Sequence, residues 1–461
     1  MKLLMEIFAS VKGVLYLCNK ARYIHKESIK KAKRMKKLTI HHIGPIKHVE
    51  LTLKRINVVI GPQSAGKSCI LKIACFCAWA EKRIQLEQGK NGFADFEYVK
   101  ENLLAFHKLR CFLHEDSSIE YKSDFLSFTI DFAKETFNLR WGNAQNRFNY
   151  KRPRVSYIPA ERNLVSSIPN WFDVKMDSTN LKSFIADWAY AHKLCGDEAV
   201  LPVLNLNVGF FYDKQTDHDY ILLGDDKKME LSDASSGLQS VIPMWVYLDY
   251  LFRKQYGPNE MLSSKTETEN EEIAQHIYES KFKNAAKQAG EEGNVFIGKF
   301  GLTKRVFASK EDFEDFKQLV SAYTQTSHSD IYLEEPEQNL FPLTQVELVY
   351  ELLKNTALHN DNLFIATHSP YILYALNNCM LGYKVKDKIP TTVSELREHE
   401  SSWVNPKDVA VWEIHDGEFS SMVDKKNMTL QDADGLIRGN YFDRVMKLIM
   451  TDFSNYSTFY D

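Results

Sequence analysis

The sequence predicts an α/β fold, and three observations carry that expectation. Short strands give way to helices, and strand–helix alternation resumes between residues 326 and 376, as in a mainly parallel core. The run Ile56 to Ile60 is nearly all apolar, as a strand covered on both faces should be. A glycine-bearing turn then separates this run from a helical stretch starting near Lys67. At 461 residues the chain exceeds what one hydrophobic core usually supports, so two lobes or domains are expected.

The elements follow in order. Residues 1 to 18 are apolar, but Glu6 and Lys12 interrupt the run and no small-residue cleavage site follows. A short amphipathic helix is therefore expected there, within a basic helical or flexible leader over residues 1–35. Met35, just before the first clean strand, is an alternative start. Strands are expected at Leu38 to Ile43, His48 to Leu53 and Ile56 to Ile60, the first turn carrying Gly44 and Pro45. A helix spans roughly Lys67 to Gln88. Residues 118–160 return to strands, for example Phe125 to Phe132 and Val155 to Ile158. A helix at Leu181 to Leu194 precedes strands at Val203 to Phe211 and Tyr220 to Leu223, and then a helix from Ser236 to Lys254. The polar segment 257–325 reads as an inserted helical arm or a partly mobile excursion, with the arm as the expectation. Strand Asp330 to Leu333, helix Pro342 to Leu353 and strand Leu363 to Thr367 complete the pattern. The expected division is thus 1–35, 36–256, 257–325 and 326–461.

Composition excludes several classes. The chain is 44% hydrophobic and 26% charged, which is ordinary for a soluble globular protein. A net charge of −3 provides no whole-chain field toward nucleic acid or membrane. No run of 18 apolar residues exists, so no membrane span is expected. None of the seven cysteines has the spacing of a zinc site or redox dithiol, and they read as free thiols in a reducing, cytoplasmic setting. Residues 20–37 hold nine lysines and arginines against Glu27 alone. They read as a solvated leader, with nucleic-acid contact as the alternative. Lys151, Arg152 and Arg154 form a smaller basic group. The acids Glu267 to Glu272 read as solubilising or as a dock for a basic partner.

Four motifs carry chemistry. Gly61-Pro62-Gln63-Ser64-Ala65-Gly66-Lys67-Ser68 satisfies GxxxxGK[ST] in full, with Cys69 following in the helix. Its glycines let the backbone curl so that N–H groups face phosphate oxygens, and the next helix adds its positive end. Lys67 would reach the β- and γ-phosphates, and Ser68 would bind Mg²⁺. The second motif, Ile331-Tyr332-Leu333-Glu334-Glu335-Pro336, is an apolar strand ending in two carboxylates. One would hold the metal shell while the next acts on the attacking water. The third, Ala366-Thr367-His368-Ser369-Pro370, puts a histidine at the end of a buried strand, which alone reads as a structural hydrogen-bonder. The fourth, Ala234-Ser235-Ser236-Gly237-Leu238-Gln239, opens a helix. It reads as an ordinary cap or as an anion site facing another subunit.

Taken in order, these motifs resemble those of the ABC-type ATPases, in the branch shared by SMC, RecF and OLD-like proteins. The resemblance spans about residues 37–376. It implies an ABC-type ATPase head: a RecA-like mixed sheet, an antiparallel β subdomain and a helical lobe carrying the arm. It further implies ATP and Mg²⁺ as ligands, with Glu334 and Ser68 on the metal. Glu335 would be the catalytic carboxylate, His368 a γ-phosphate sensor, and Ser235, Ser236 and Gly237 contacts made across a head-to-tail dimer. Tyr157-Ile158-Pro159-Ala160-Glu161-Arg162 stands where the family places its Q-loop, so Glu161 and Arg162 are candidate nucleotide or coupling contacts. Two features depart from the family: Glu334 stands where most members have aspartate, and Ala-Ser-Ser-Gly replaces Leu-Ser-Gly-Gly. Slow turnover is therefore an open alternative.

The chain has no room for SMC-length coiled coils, and too few residues follow His368 for a Toprim domain. It is thus expected to act as a stand-alone ATPase on a separate effector. Its motifs are similar to those of ATPase subunits of bacterial anti-phage systems, PARIS first and Septu second. That likeness implies a homo-oligomer, a Toprim-type nuclease partner and a phage-encoded trigger, with no membrane and with nucleic acid left open. The alternatives are a RecF-like DNA repair ATPase and a slowly hydrolysing nucleotide-bound scaffold.

Overall fold

The computed structural model describes residues 36–168, 175–224, 227–256, 264–301, 303–390 and 392–460. The leader, with all of the basic cluster except Lys36 and Lys37, lies outside the described residues. The chain runs β1 (Lys36–Ile43), β2 (Ile46–Leu53), β3 (Ile56–Ile60), α1 (Lys67–Glu87), β4 (Leu113–Lys122), β5 (Leu126–Asp131), β6 (Thr136–Trp141) and β7 (Pro153–Ile158). After α2 (Asn180–Ala191) come β8 (Leu201–Pro202), β9 (Gly209–Asp213), β10 (His218–Leu222), β11 (Lys228–Glu230) and α3 (Ser236–Phe252). Next are α4 (Ser264–Ile277), α5 (Lys283–Glu291), β12 (Phe296–Phe300), β13 (Thr303–Phe307) and α6 (Lys310–Thr324). The chain then continues through β14 (His328–Glu334), α7 (Pro342–His359), β15 (Asn362–Ala366), α8 (Pro370–Val385), β16 (Val409–His415), β17 (Glu418–Ser420) and α9 (Tyr441–Ser457).

One sheet organises the molecule, in the order β6-β5-β4-β1-β2-β17-β16-β3-β15-β14-β7. The strands β16, β3, β15, β14 and β7 are mutually parallel, and β2, β1, β4, β5 and β6 form an antiparallel wing. The α/β expectation with a mixed sheet and an antiparallel part is therefore met. Alternation along the parallel strands explains their apolar sequences. Val58, Ile60, Ile331, Leu333, Leu363 and Ile365 face a core shared with α3, α7 and α8. Val59, Tyr332, Phe364 and Trp412 face a second core shared with α1 and the wing. Both faces are covered, so both must be apolar. The helix α3 is buried from Ser240 to Phe252, which matches its lack of a polar face.

Three local readings need correction. The strand expected at Val203 to Phe211 is mostly a turn between β8 and β9, in which Leu204 and Asn207 take positive φ of 46° and 54°, and only Gly209 to Phe211 of it is strand. Asparagine tolerates that conformation and here helps to break the run. The described part of 257–325 is not purely helical, because β12 and β13 form an antiparallel hairpin between its helices. It is also no loose excursion: Phe282, Phe307, Phe316 and Tyr323 pack with Leu86, Phe125 and Tyr150. Finally, β16 lies beside β3, in a stretch to which the sequence reading assigns no element. No helix among the described residues is long and apolar enough to cross a membrane.

Candidate functional site

The site lies at the carboxyl ends of the parallel strands, where an open α/β sheet leaves a crevice for ligands. Register brings the motifs level. Val59 pairs with Ala366, Ala366 with Glu334, and Leu333 with Ile158. The residues following each strand therefore emerge side by side: Gly61 to Ser68, Thr367 and His368, Glu335, and Pro159 to Arg162.

The loop after β3 is shaped by its glycines. A Cβ on Gly61 would lie 2.3 Å from the Ile414 carbonyl oxygen, so the backbone passes too close to β16 for any side chain. Gly66 has φ of +106°, and its missing Cβ would touch Ile46 at 3.0 Å. Between them Gln63 and Ser64 are exposed, with Ser64 at φ 60°. The first helical hydrogen bond runs from the Ile70 N–H to the Gly66 carbonyl at 3.0 Å, so the N–H groups of Lys67, Ser68 and Cys69 precede the ladder. Gly66 caps α1 without any side-chain bond. The donors, the helix dipole and the space left by the glycines together suit a phosphate group. The Cys69 thiol is buried and contacts the Ile43 carbonyl at 3.9 Å, and burial pushes its pKa up to about 12. Cys69 can therefore contribute only through its backbone.

Lys67 is 5% exposed and donates to the carbonyls of Gly61 at 3.0 Å and Pro62 at 2.6 Å. Burial lowers its pKa to about 8, against the opposing pull of Glu335 and Glu337. Glu335 takes φ of 40°, unusual for a residue with a Cβ, and its N–H donates to the Ala366 carbonyl at 2.9 Å. Its Oε1 lies 3.6 Å from His368 Nε2. Burial first, and then the Lys67 cation, hold His368 below its ordinary pKa, so the ring is neutral at pH 7. The carboxylate of Glu334 is buried, and its Oε2 accepts the Ala160 N–H at 3.3 Å.

Arg162 directs its guanidinium at backbone rather than at the phosphate loop. It is fully buried and aims its guanidinium at four backbone carbonyls: Pro159 at 3.2 Å, Ser240 at 3.2 Å, Glu334 at 2.9 Å and Glu335 at 2.8 Å. It ties α3 to the backbone of both acids. Glu161 is exposed beside it. The structure adds Glu337, whose Oε1 accepts the His368 N–H at 2.5 Å and whose carboxyl is raised in pKa by burial. Its Oε2 is buried without a hydrogen-bond partner among the described residues. The signal for it was present: a third acid stands two places after the pair.

Ser235, Ser236 and Gly237 make no side-chain hydrogen bond to Lys67, Glu334, Glu335 or His368 among the described residues. Ser235 and Ser236 are exposed, and the Ser235 side chain makes no capping bond to α3. Ser235 thus stands at the N-cap position of α3 but does not cap it through its hydroxyl. A Cβ on Gly237 would lie 3.0 Å from the Asn339 carbonyl oxygen, so the start of α3 rests on the loop that follows the acids.

No protein-family model matches the sequence, and no curated protein matches it. Among solved structures, the chain is similar to the SMC head domain from Thermotoga maritima, at 10% identity and a TM-score of 0.32, over 74% of this chain and 92% of that one. It is similar to an SMC head bound to the C-terminal winged-helix domain of ScpA, at 7% identity and a TM-score of 0.33, over 74% and 91%. It is also similar to the recombination mediator RecF with a bound ATP analogue, at 10% identity and a TM-score of 0.27, over 84% and 97%. At such identities and scores the reading of the site rests on its own geometry.

Proposed function

We propose that the chain is an ATP-binding and ATP-hydrolysing ABC-type ATPase that acts as an oligomeric switch on a separate effector protein. One observation carries the ATPase reading: Lys67, Glu335 and His368 meet at the ends of β3, β14 and β15, with Glu334 buried at the same level. The loop amides and Lys67 hold the triphosphate. Ser68 and Glu334 would hold Mg²⁺, which neutralises phosphate charge when bound. Glu335 accepts the proton of the attacking water, and His368 stands 3.6 Å from its carboxylate. A second copy closes the site, and the exposed Ser235 at the start of α3 supports that role for its hydroxyl. The effector reading, with a nuclease in anti-phage defence, is supported by the motif likeness alone.

Two substitutions test the ATPase reading. Glu335→Gln should abolish phosphate release and retain ATP binding, whereas Lys67→Ala should lose both. Steady-state hydrolysis and equilibrium nucleotide binding measure the two effects. Undiminished hydrolysis by Glu335→Gln would assign the base elsewhere. Weighing the native complex with and without ATP tests the effector reading, which fails if no second protein co-purifies.

A further inference from the structure

Beside the turn that underlies the phosphate loop, two consecutive histidines meet a carboxylate. Leu38 and Ile40 of β1 point into the core, so strict alternation would bury His42 after them. Instead β1 bulges against β4 between His41 and Ile43, and His42 takes φ of 45°. Ile43 occupies the inward position at 1% exposure, and both histidines turn outward. Their rings stack with centroids 4.2 Å apart. Asp116 on β4 reaches both, 2.6 Å from His42 Nδ1 and 3.3 Å from His41 Nε2.

We propose that His41, His42 and Asp116 bind a divalent transition-metal ion of the zinc class, with water completing the shell. One donor atom from each residue lies within 4.8 Å of the others, a spread that small side-chain rotations contract around an ion. Two imidazoles and a carboxylate are the donors zinc takes, and an open position is usual for such three-residue sites. Magnesium prefers oxygen ligands, which separates this site from the nucleotide's metal. Side-chain exposures of 39%, 41% and 58% leave an entry path. The bulge turns both histidines toward Asp116, so two imidazoles rather than one meet the carboxylate. The ion would brace the strand end carrying Pro45 and Ile46, which abut Gly66.

The test uses untagged full-length protein, stripped with chelator and titrated with Zn²⁺ in excess Mg²⁺ by calorimetry, and with Co²⁺ by visible absorption. One ion per chain and a Co²⁺ ligand-field spectrum are expected. His41→Gln and Asp116→Asn should each weaken Zn²⁺ binding at least about tenfold, the loss usual even for outer-shell partners. Because both side chains are solvent-accessible, the Tm of the metal-free variants should match the parent. Absence of saturable uptake, or variants that bind as tightly as the parent, overturns the proposal. Either result leaves the ATPase reading untouched, because none of the three residues belongs to the phosphate loop, the acid pair or His368.

Discussion

Lys67 carries its charge where burial opposes it. With the side chain 5% exposed, desolvation lowers its pKa to about 8 despite Glu335 and Glu337. The unfolded lysine titrates near about 10.4, so between these values the folded chain holds fewer protons and stability rises with pH. Below about 8 both states are protonated, and the penalty is constant at roughly 3 kcal/mol. That unfavourable charge is what a bound triphosphate would relieve. The sign for binding is the reverse of that for folding: the ammonium attracts the anion below about 8 and is lost above it. Nucleotide affinity should therefore hold steady from neutral pH to near 8, and then fall about tenfold per pH unit. Titration with a fluorescent ATP analogue across this range measures it. A flat profile up to pH ~9.5 would show that Lys67 stays charged without the ligand and that burial is not setting its proton.

Arg162 shows how elements are held in mutual position. Its guanidinium links the end of β7, the backbone of Glu334 and Glu335, and the Ser240 carbonyl of α3. Arg162→Met removes four hydrogen bonds from the interior, and although the Glu335 carbonyl keeps the Gln338 N–H at 3.0 Å, a buried carbonyl left unsatisfied costs about 1–3 kcal/mol, so Tm should fall. Arg162→Lys is the sharper test. It keeps the charge but has no fork to span four carbonyls. ATP affinity should persist while turnover drops at least about tenfold, since small misplacement of a catalytic group is costly. Unchanged turnover in Arg162→Lys would reduce the residue to a structural strut. Sequence could supply this arginine only as a candidate contact, because nothing local tells whether a guanidinium faces a ligand or a backbone. The loop Gly61 to Ser68 and the strand ending in Glu334 were legible, since strained turns and apolar runs are local properties. The hairpin β12–β13 and the strand β16 were not. The former sits in polar surroundings and gains its core from Leu86, Phe125 and Tyr150, far away in sequence. The latter joins β3 across some 350 residues of chain, a pairing that only tertiary contact decides.

At the scale of the whole molecule the question is whether a site is completed by its own chain or by another. The phosphate loop, the acids and His368 converge within one chain, whereas Ser235 stands exposed at the start of α3, its hydroxyl making no bond to the helix it opens. A hydroxyl and a helix N-terminus left facing solvent are what a second copy's phosphate would meet in a head-to-tail arrangement. This geometry makes a prediction that separates the two cases. Lys67→Ala disables the loop and Ser235→Glu puts a repelling carboxylate where the γ-phosphate would lie, so each variant alone should be inactive. In a mixed dimer the intact loop of the second variant faces the intact Ser235 of the first. Half of randomly mixed dimers are of this kind and each holds one working site of two, so mixing should restore about a quarter of the parent's phosphate release. If Ser235 serves its own chain, no mixture can assemble an intact site, and activity stays at the level of the separate variants.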